Sequence, residues 1–136
     1  MNGRDIVLAA MKCESTQRTP WVPFVGVHGG TLIGVGAGEY LKSSDHMLAG
    51  INKAVELYKP DGLPIAFDLQ IEAEILGCEL QWADENPPAV ISHPLATGML
   101  LEELKIPGPN DGRFPAVLET ARRARELHPD IALYGL

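Results

Sequence analysis

Three features of the chain predict an α/β fold built on buried parallel strands, part of a barrel or of a doubly wound sheet. Two short apolar runs, Trp21-Val22-Pro23-Phe24-Val25-Gly26-Val27 and Leu63-Pro64-Ile65-Ala66-Phe67, flank a stretch with helical apolar spacing. A second amphipathic stretch, 114–127, leads into a third run, Ile131-Ala132-Leu133-Tyr134-Gly135-Leu136. Runs that are apolar on both faces and alternate with helices read as buried parallel strands, in a barrel or a doubly wound sheet. Buried parallel strands are therefore expected near 21–27, 63–68 and 131–136, in one domain.

In chain order, Asn2 can cap a first helix through Ile6, Val7, Ala10 and Cys13, with Asp5 favouring its N-terminus. The run 21–27 follows, bounded by Pro20 and by Gly29-Gly30, and Gly26 to Gly38 read as a flexible loop after it. Ser43 or Ser44 caps a helix whose apolar face is Met47, Leu48, Ile51, Ala54, Val55 and Tyr58, and Lys59-Pro60-Asp61-Gly62 stops it. The run 63–67 then completes a strand–helix–strand unit. Residues 79–83 alternate, 84–88 turn and 89–92 pair back, as a β-hairpin decorating the main sheet. Leu100 to Leu104 suit a short helix, and Phe114, Val117, Leu118, Ala121, Ala124 and Leu127 form the stripe of the clearest helix in the chain.

Composition narrows the function. The 136 residues are 46% hydrophobic and 21% charged, which excludes disorder, and the length is only about half of a complete eight-stranded barrel. The formal charge is −7, and no basic cluster exceeds Arg122, Arg123 and Arg125, so neither nucleic acid nor an anionic membrane is an expected partner. Cys13 and Cys78 are too isolated for a disulfide framework or zinc knuckle and read as free thiols of a cytoplasmic protein. No apolar window approaches the roughly 18 residues of a membrane span.

Few local motifs carry chemistry. Gly34, Gly36 and Gly38 are followed by Glu39 where a dinucleotide loop needs glycine, and neither GxxxxGK[ST] nor GxSxG occurs. The four histidines, His28, His46, His93 and His128, lack HxH or HExxH spacing, so no metal site is written locally. His28 follows the first apolar run and precedes Gly29 and Gly30, which would let a ligand approach closely; these three are candidate substrate-binding residues, and an ordinary loop histidine is the alternative. Asp68 is the candidate catalytic residue. It stands at the C-terminal end of a buried run, where α/β folds place their sites, but a cap for the segment near Glu72 explains its position equally well.

The segment from Tyr58-Lys59-Pro60-Asp61-Gly62 through Ile65-Ala66-Phe67-Asp68-Leu69 to Glu72-Ala73-Glu74-Ile75-Leu76-Gly77-Cys78-Glu79-Leu80 resembles the uroporphyrinogen decarboxylase superfamily, closest to its methylcobalamin:thiol (coenzyme M) methyltransferase branch. The entry through Arg18-Thr19-Pro20-Trp21-Val22-Pro23 is similar too, and 131–136 looks like a further barrel strand, so the resemblance implies the N-terminal part of a (β/α)8 TIM barrel, incomplete in this chain, as one partial barrel domain spanning 1–136. The resemblance implies that Asp68 matches an active-site aspartate, which in the decarboxylase faces the pyrrole NH groups of a tetrapyrrole and steadies positive charge on a protonated ring. Val27-His28-Gly29-Gly30-Thr31-Leu32 departs from the decarboxylases, whose matching loop carries arginines that bind substrate carboxylates. The function implied is a corrinoid-dependent methyl transfer between methylcobalamin and a thiol-type acceptor. Uroporphyrinogen decarboxylation is the enzymatic alternative, and an inactive truncated fragment that folds by association is the third reading. This chain itself is expected to hold no cofactor. Zinc and a corrinoid would belong to the full-length enzyme, with a corrinoid protein or a tetrapyrrole as partner. An open apolar strand edge implies a homo-oligomer.

Overall fold

The computed structural model describes residues 1–135. Helix α1 (Gly3–Met11) is capped by Asn2, whose side-chain oxygen accepts from the Asp5 amide while the Asp5 carboxylate accepts from the Asn2 amide. The expected loop after residue 26 instead forms two short helices, α2 (His28–Leu32) and α3 (Ala37–Tyr40). Helix α4 (Ser44–Tyr58) starts at the Ser43 cap and ends on Lys59 in the left-handed region, φ +48°, where Pro60 forbids continuation. Strand β1 (Gly62–Pro64), helix α5 (Ile71–Ile75), strands β2 (Glu79–Gln81) and β3 (Ala89–Ser92), helix α6 (Phe114–Leu127) and strand β4 (Ala132–Tyr134) follow, with 3-10 turns at Pro94–Thr97 and Leu101–Glu103.

Strands β1 and β4 pair in parallel, Leu63 opposite Leu133, and β2 and β3 form the expected antiparallel hairpin. The strand expected at 21–27 does not form. Pro23 removes a donor from the middle of that run, Gly26 turns it at φ +51°, and the link to β1 is the Asp61 amide donating to the Trp21 carbonyl at 2.9 Å. An ion pair does the remaining tethering. Arg18 grips both Asp61 oxygens at 2.5 and 2.6 Å, and the Trp21 amide adds a bond at 2.8 Å. The guanidinium, more than any other group, holds the Asp61 carboxyl below the usual carboxylate range. The other two strands form but are shorter than the apolar runs, 62–64 against 63–68 and 132–134 against 131–136, and Leu136 lies outside the described residues.

Two clusters build the core. Leu48, Ile51, Ala54, Leu63, Ile65 and Ala124 join α4, β1 and α6, while Tyr40, Leu41 and Met47 seal the α3–α4 corner. The buried line of α6 includes Thr120, fully buried, in place of Leu118 and Leu127, which are 52% and 57% exposed. The Thr120 hydroxyl is satisfied within its own helix by the Ala116 carbonyl at 2.7 Å, so a polar residue fits the core without an unpaired donor.

Candidate functional site

Beyond the C-terminal ends of both parallel strands lies a cavity of about 80 Å³, lined by Ile65, Ala66, Asp68, Ile71, Glu72, Phe114, Val117 and Gly135. Ile65 and Ala66 follow β1 and Gly135 follows β4, so the position is the one where open α/β sheets bind ligands. The volume admits a small group and is well below the roughly 300 Å³ lower end of ligand pockets. The two charged residues of that lining are Asp68 and Glu72, both acidic.

Asp68 closes the turn that leads to α5, whose N-cap is Gln70, and it is also one half of an ion pair. One oxygen accepts from the Gln70 amide at 3.0 Å, closing the turn ahead of α5, and the other accepts from Arg113 at 2.5 Å. Its side chain is 2% exposed and that of Arg113 is 11% exposed. Arg113 donates through Nε to Glu74 at 2.6 Å, through Nη1 also to the Leu41 carbonyl at 3.1 Å, and leaves Nη2 buried without a partner. Trp82, just past β2, presents its ring to the guanidinium at 4.9 Å and to the Lys42 ammonium at 3.9 Å. The hairpin is also clipped to α3 by the Ala37 amide on the Asp84 carbonyl at 2.7 Å. Arg113 thus stands between two carboxylates, of which only Asp68 reaches the cavity lining.

Arg113 could not be paired with Asp68 from the sequence, because it lies 45 residues away. A local signal does exist. Arg113 occupies the N-cap of α6, where the helix dipole opposes a cation, and such a placement calls for an acidic partner elsewhere.

The other candidates lie elsewhere. His28, exposed at the head of α2, pairs through Nε2 with the Tyr58 hydroxyl at 2.7 Å and does not line the Asp68 cavity. Gly29 and Gly30 are buried within α2. A Cβ on Gly29 would collide with the Tyr40 hydroxyl, and one on Gly30 would stand 2.7 Å from the Val35 carbonyl, so close packing accounts for both glycines. Burial pushes the Tyr40 hydroxyl up to about 12.

These features are those of a sequence that matches the family model for uroporphyrinogen decarboxylase (URO-D) over residues 2–136. The chain belongs to the uroporphyrinogen decarboxylase family. No curated protein matches it. Among solved structures this family member is similar to a methyltransferase from Methanosarcina mazei, with 25% sequence identity and a TM-score of 0.85 over 99% of this chain and 42% of that one. It therefore spans less than half the length of that methyltransferase, and shares its α/β fold over the matched part. Among the described residues no helix is long and apolar enough to cross a membrane. Nor do three His, Cys, Asp or Glu side chains converge as a metal site among them.

Proposed function

We propose that this chain is the N-terminal part of a (β/α)8 barrel whose whole protein moves a methyl group between a corrinoid and a thiol-type acceptor, with Asp68 on the wall of its site. The observation that carries this reading is the likeness to the methyltransferase over nearly the whole chain. The acidic cavity lining supports it over decarboxylation of a porphyrinogen, whose many carboxylates call for cations. The described residues do not fit zinc, since no donor set converges, and a cavity of about 80 Å³ does not fit a corrinoid. No step is derived through either group. Asp68 itself holds a fixed, desolvated negative charge at the cavity wall, where it stabilises positive charge or a donated proton on a bound substrate.

In the whole protein, supplied with zinc and a simple thiol, loss of the methylcobalamin absorbance reports transfer. Asp68→Asn keeps the shape of the side chain and removes its charge, so it should slow that loss by about a hundredfold. A wild-type protein that leaves methylcobalamin intact and converts uroporphyrinogen to coproporphyrinogen would replace this reading with the decarboxylase one.

In the whole barrel a neighbouring strand would cover the edge of β4, so the assembly prediction concerns the 136-residue chain by itself. Among the described residues β4 pairs only with β1, and the apolar groove of Val7, Leu8, Met11, Val22, Ala132, Leu133 and Tyr134 runs beside it. A parallel strand edge next to apolar surface favours a second copy of the chain. Light scattering at micromolar concentration should give a homo-oligomer, and a cooperatively melting 14.7 kDa species would refute it.

A further inference from the structure

We propose that Arg113 is a positioning residue for Asp68, and that the β2–β3 hairpin, through Trp82, sets the orientation in which Arg113 presents its guanidinium. The inference rests on the reading of Asp68 given under Proposed function and adds the groups that make its carboxylate a fixed one.

Four contacts define the guanidinium from different directions. Glu74 takes Nε at 2.6 Å, the Leu41 carbonyl takes Nη1 at 3.1 Å, Asp68 takes Nη1 at 2.5 Å, and the Trp82 ring lies against the group at 4.9 Å. Nη1 has two hydrogens, so Leu41 and Asp68 use both. Glu74 on α5 and the Leu41 carbonyl beyond α3 fix the plane of the fork, and the fork in turn decides where the second oxygen of Asp68 sits. A lysine would carry the charge but not the planar, multiply anchored geometry. The first oxygen of Asp68 is tied to the Gln70 amide, so the carboxylate is held at both ends and has little freedom to swing into or out of the cavity. Trp82 is the one member of this group on the hairpin. Its other partner, Lys42, sits next to Leu41, so the ring is held by the same corner that supplies the carbonyl.

The test uses the whole protein with Asp68→Asn, Arg113→Lys, the double variant and Trp82→Leu. Two measurements are made on each: the methylcobalamin transfer rate and the NMR resonance of the Gln70 amide. Arg113→Lys should slow transfer about tenfold or more while the Gln70 resonance shifts, because a small displacement of a reacting group is costly. The double variant should be no slower than Asp68→Asn alone, a non-additivity that an independent structural role of Arg113 would not produce. Trp82→Leu should slow transfer and shift the Gln70 resonance, and if Arg113→Lys does not fold, a Trp82→Leu protein with the wild-type rate and an unmoved Gln70 resonance overturns the proposal. A folded Arg113→Lys protein with the wild-type rate and an unmoved Gln70 resonance overturns the proposal, as does a double variant slowed by the product of the two single effects. If Asp68→Asn leaves the rate unchanged, the functional reading of Asp68 fails instead. The Gln70 resonance in Arg113→Lys then judges the positioning alone, an unmoved signal refuting it.

Discussion

Leu63→Ala is expected to lower the unfolding free energy by about 3 kcal/mol. Leu63 is the middle residue of β1, has 0% exposure, and packs with Leu48, Ile51, Ala54, Ile65 and Ala124, with Leu133 and Val117 against the cluster. Truncation removes buried methyl and methylene groups and leaves a void. The surroundings cannot close readily, since one wall is the β4 ladder and the others are two helices packed against each other. Leucine-to-alanine costs of about 2–5 kcal/mol span poorly and well-supported cavities, and a site framed by three elements belongs in the middle of that range. At roughly 3–5 °C per kcal/mol for a chain of this size, thermal unfolding should move down by on the order of 10 °C. A shift below about 3 °C would mean that the core collapses around the void.

Gly50→Val should be comparably severe for the opposite reason. A Cβ at position 50 would stand 2.6 Å from the Tyr40 ring, 2.7 Å from the Gly29 carbonyl oxygen and 2.9 Å from its carbon. Valine recovers less than about 0.5 kcal/mol of helix propensity in α4 relative to glycine. Overpacking commonly costs about 1–3 kcal/mol, and here part of the obstruction is backbone, which cannot rotate away. The clash therefore wins, with an expected loss of about 3 kcal/mol measured by urea unfolding. A stability within about 0.5 kcal/mol of wild type would show that α2 slides freely over α4. Gly29 is a glycine for a neighbouring reason, the Tyr40 hydroxyl that occupies its Cβ position, and the two glycines together let α2 and α4 cross closely.

Much of the local architecture is legible in the sequence itself. Asn2 with Asp5, and Ser43, begin their helices where their side chains predict, because a cap is decided by a side chain and an amide three residues away. Lys59-Pro60 ends α4, and the turn at 84–88 folds the hairpin back on itself. The residues around Asp68 carry the family resemblance, and the family match over residues 2–136 agrees with the family that those residues suggest.

What the tertiary structure alone decides concerns partners far apart in the chain. Apolar character at 21–27 predicts a strand, but whether such a run joins a ladder depends on its donors, and Pro23 and Gly26 leave an irregular segment held by Arg18 and Asp61. Helical spacing places Leu118, Ala124 and Leu127 on the buried stripe of α6; packing buries Ala124 as expected but takes Thr120 in place of the two leucines. Periodicity gives the width of a face and only approximately its direction. Asp68 is visible in the sequence as a carboxylate at the end of an apolar run. Only the tertiary structure shows that its carboxylate, besides closing the turn at Gln70, meets Arg113 from 45 residues away, with Trp82 of the hairpin against that guanidinium. Caps, turns and periodicities act over a few residues and survive in the sequence. The fixing of a charge in a low-dielectric cavity depends on which surfaces meet, and that is set by the packing of the whole domain.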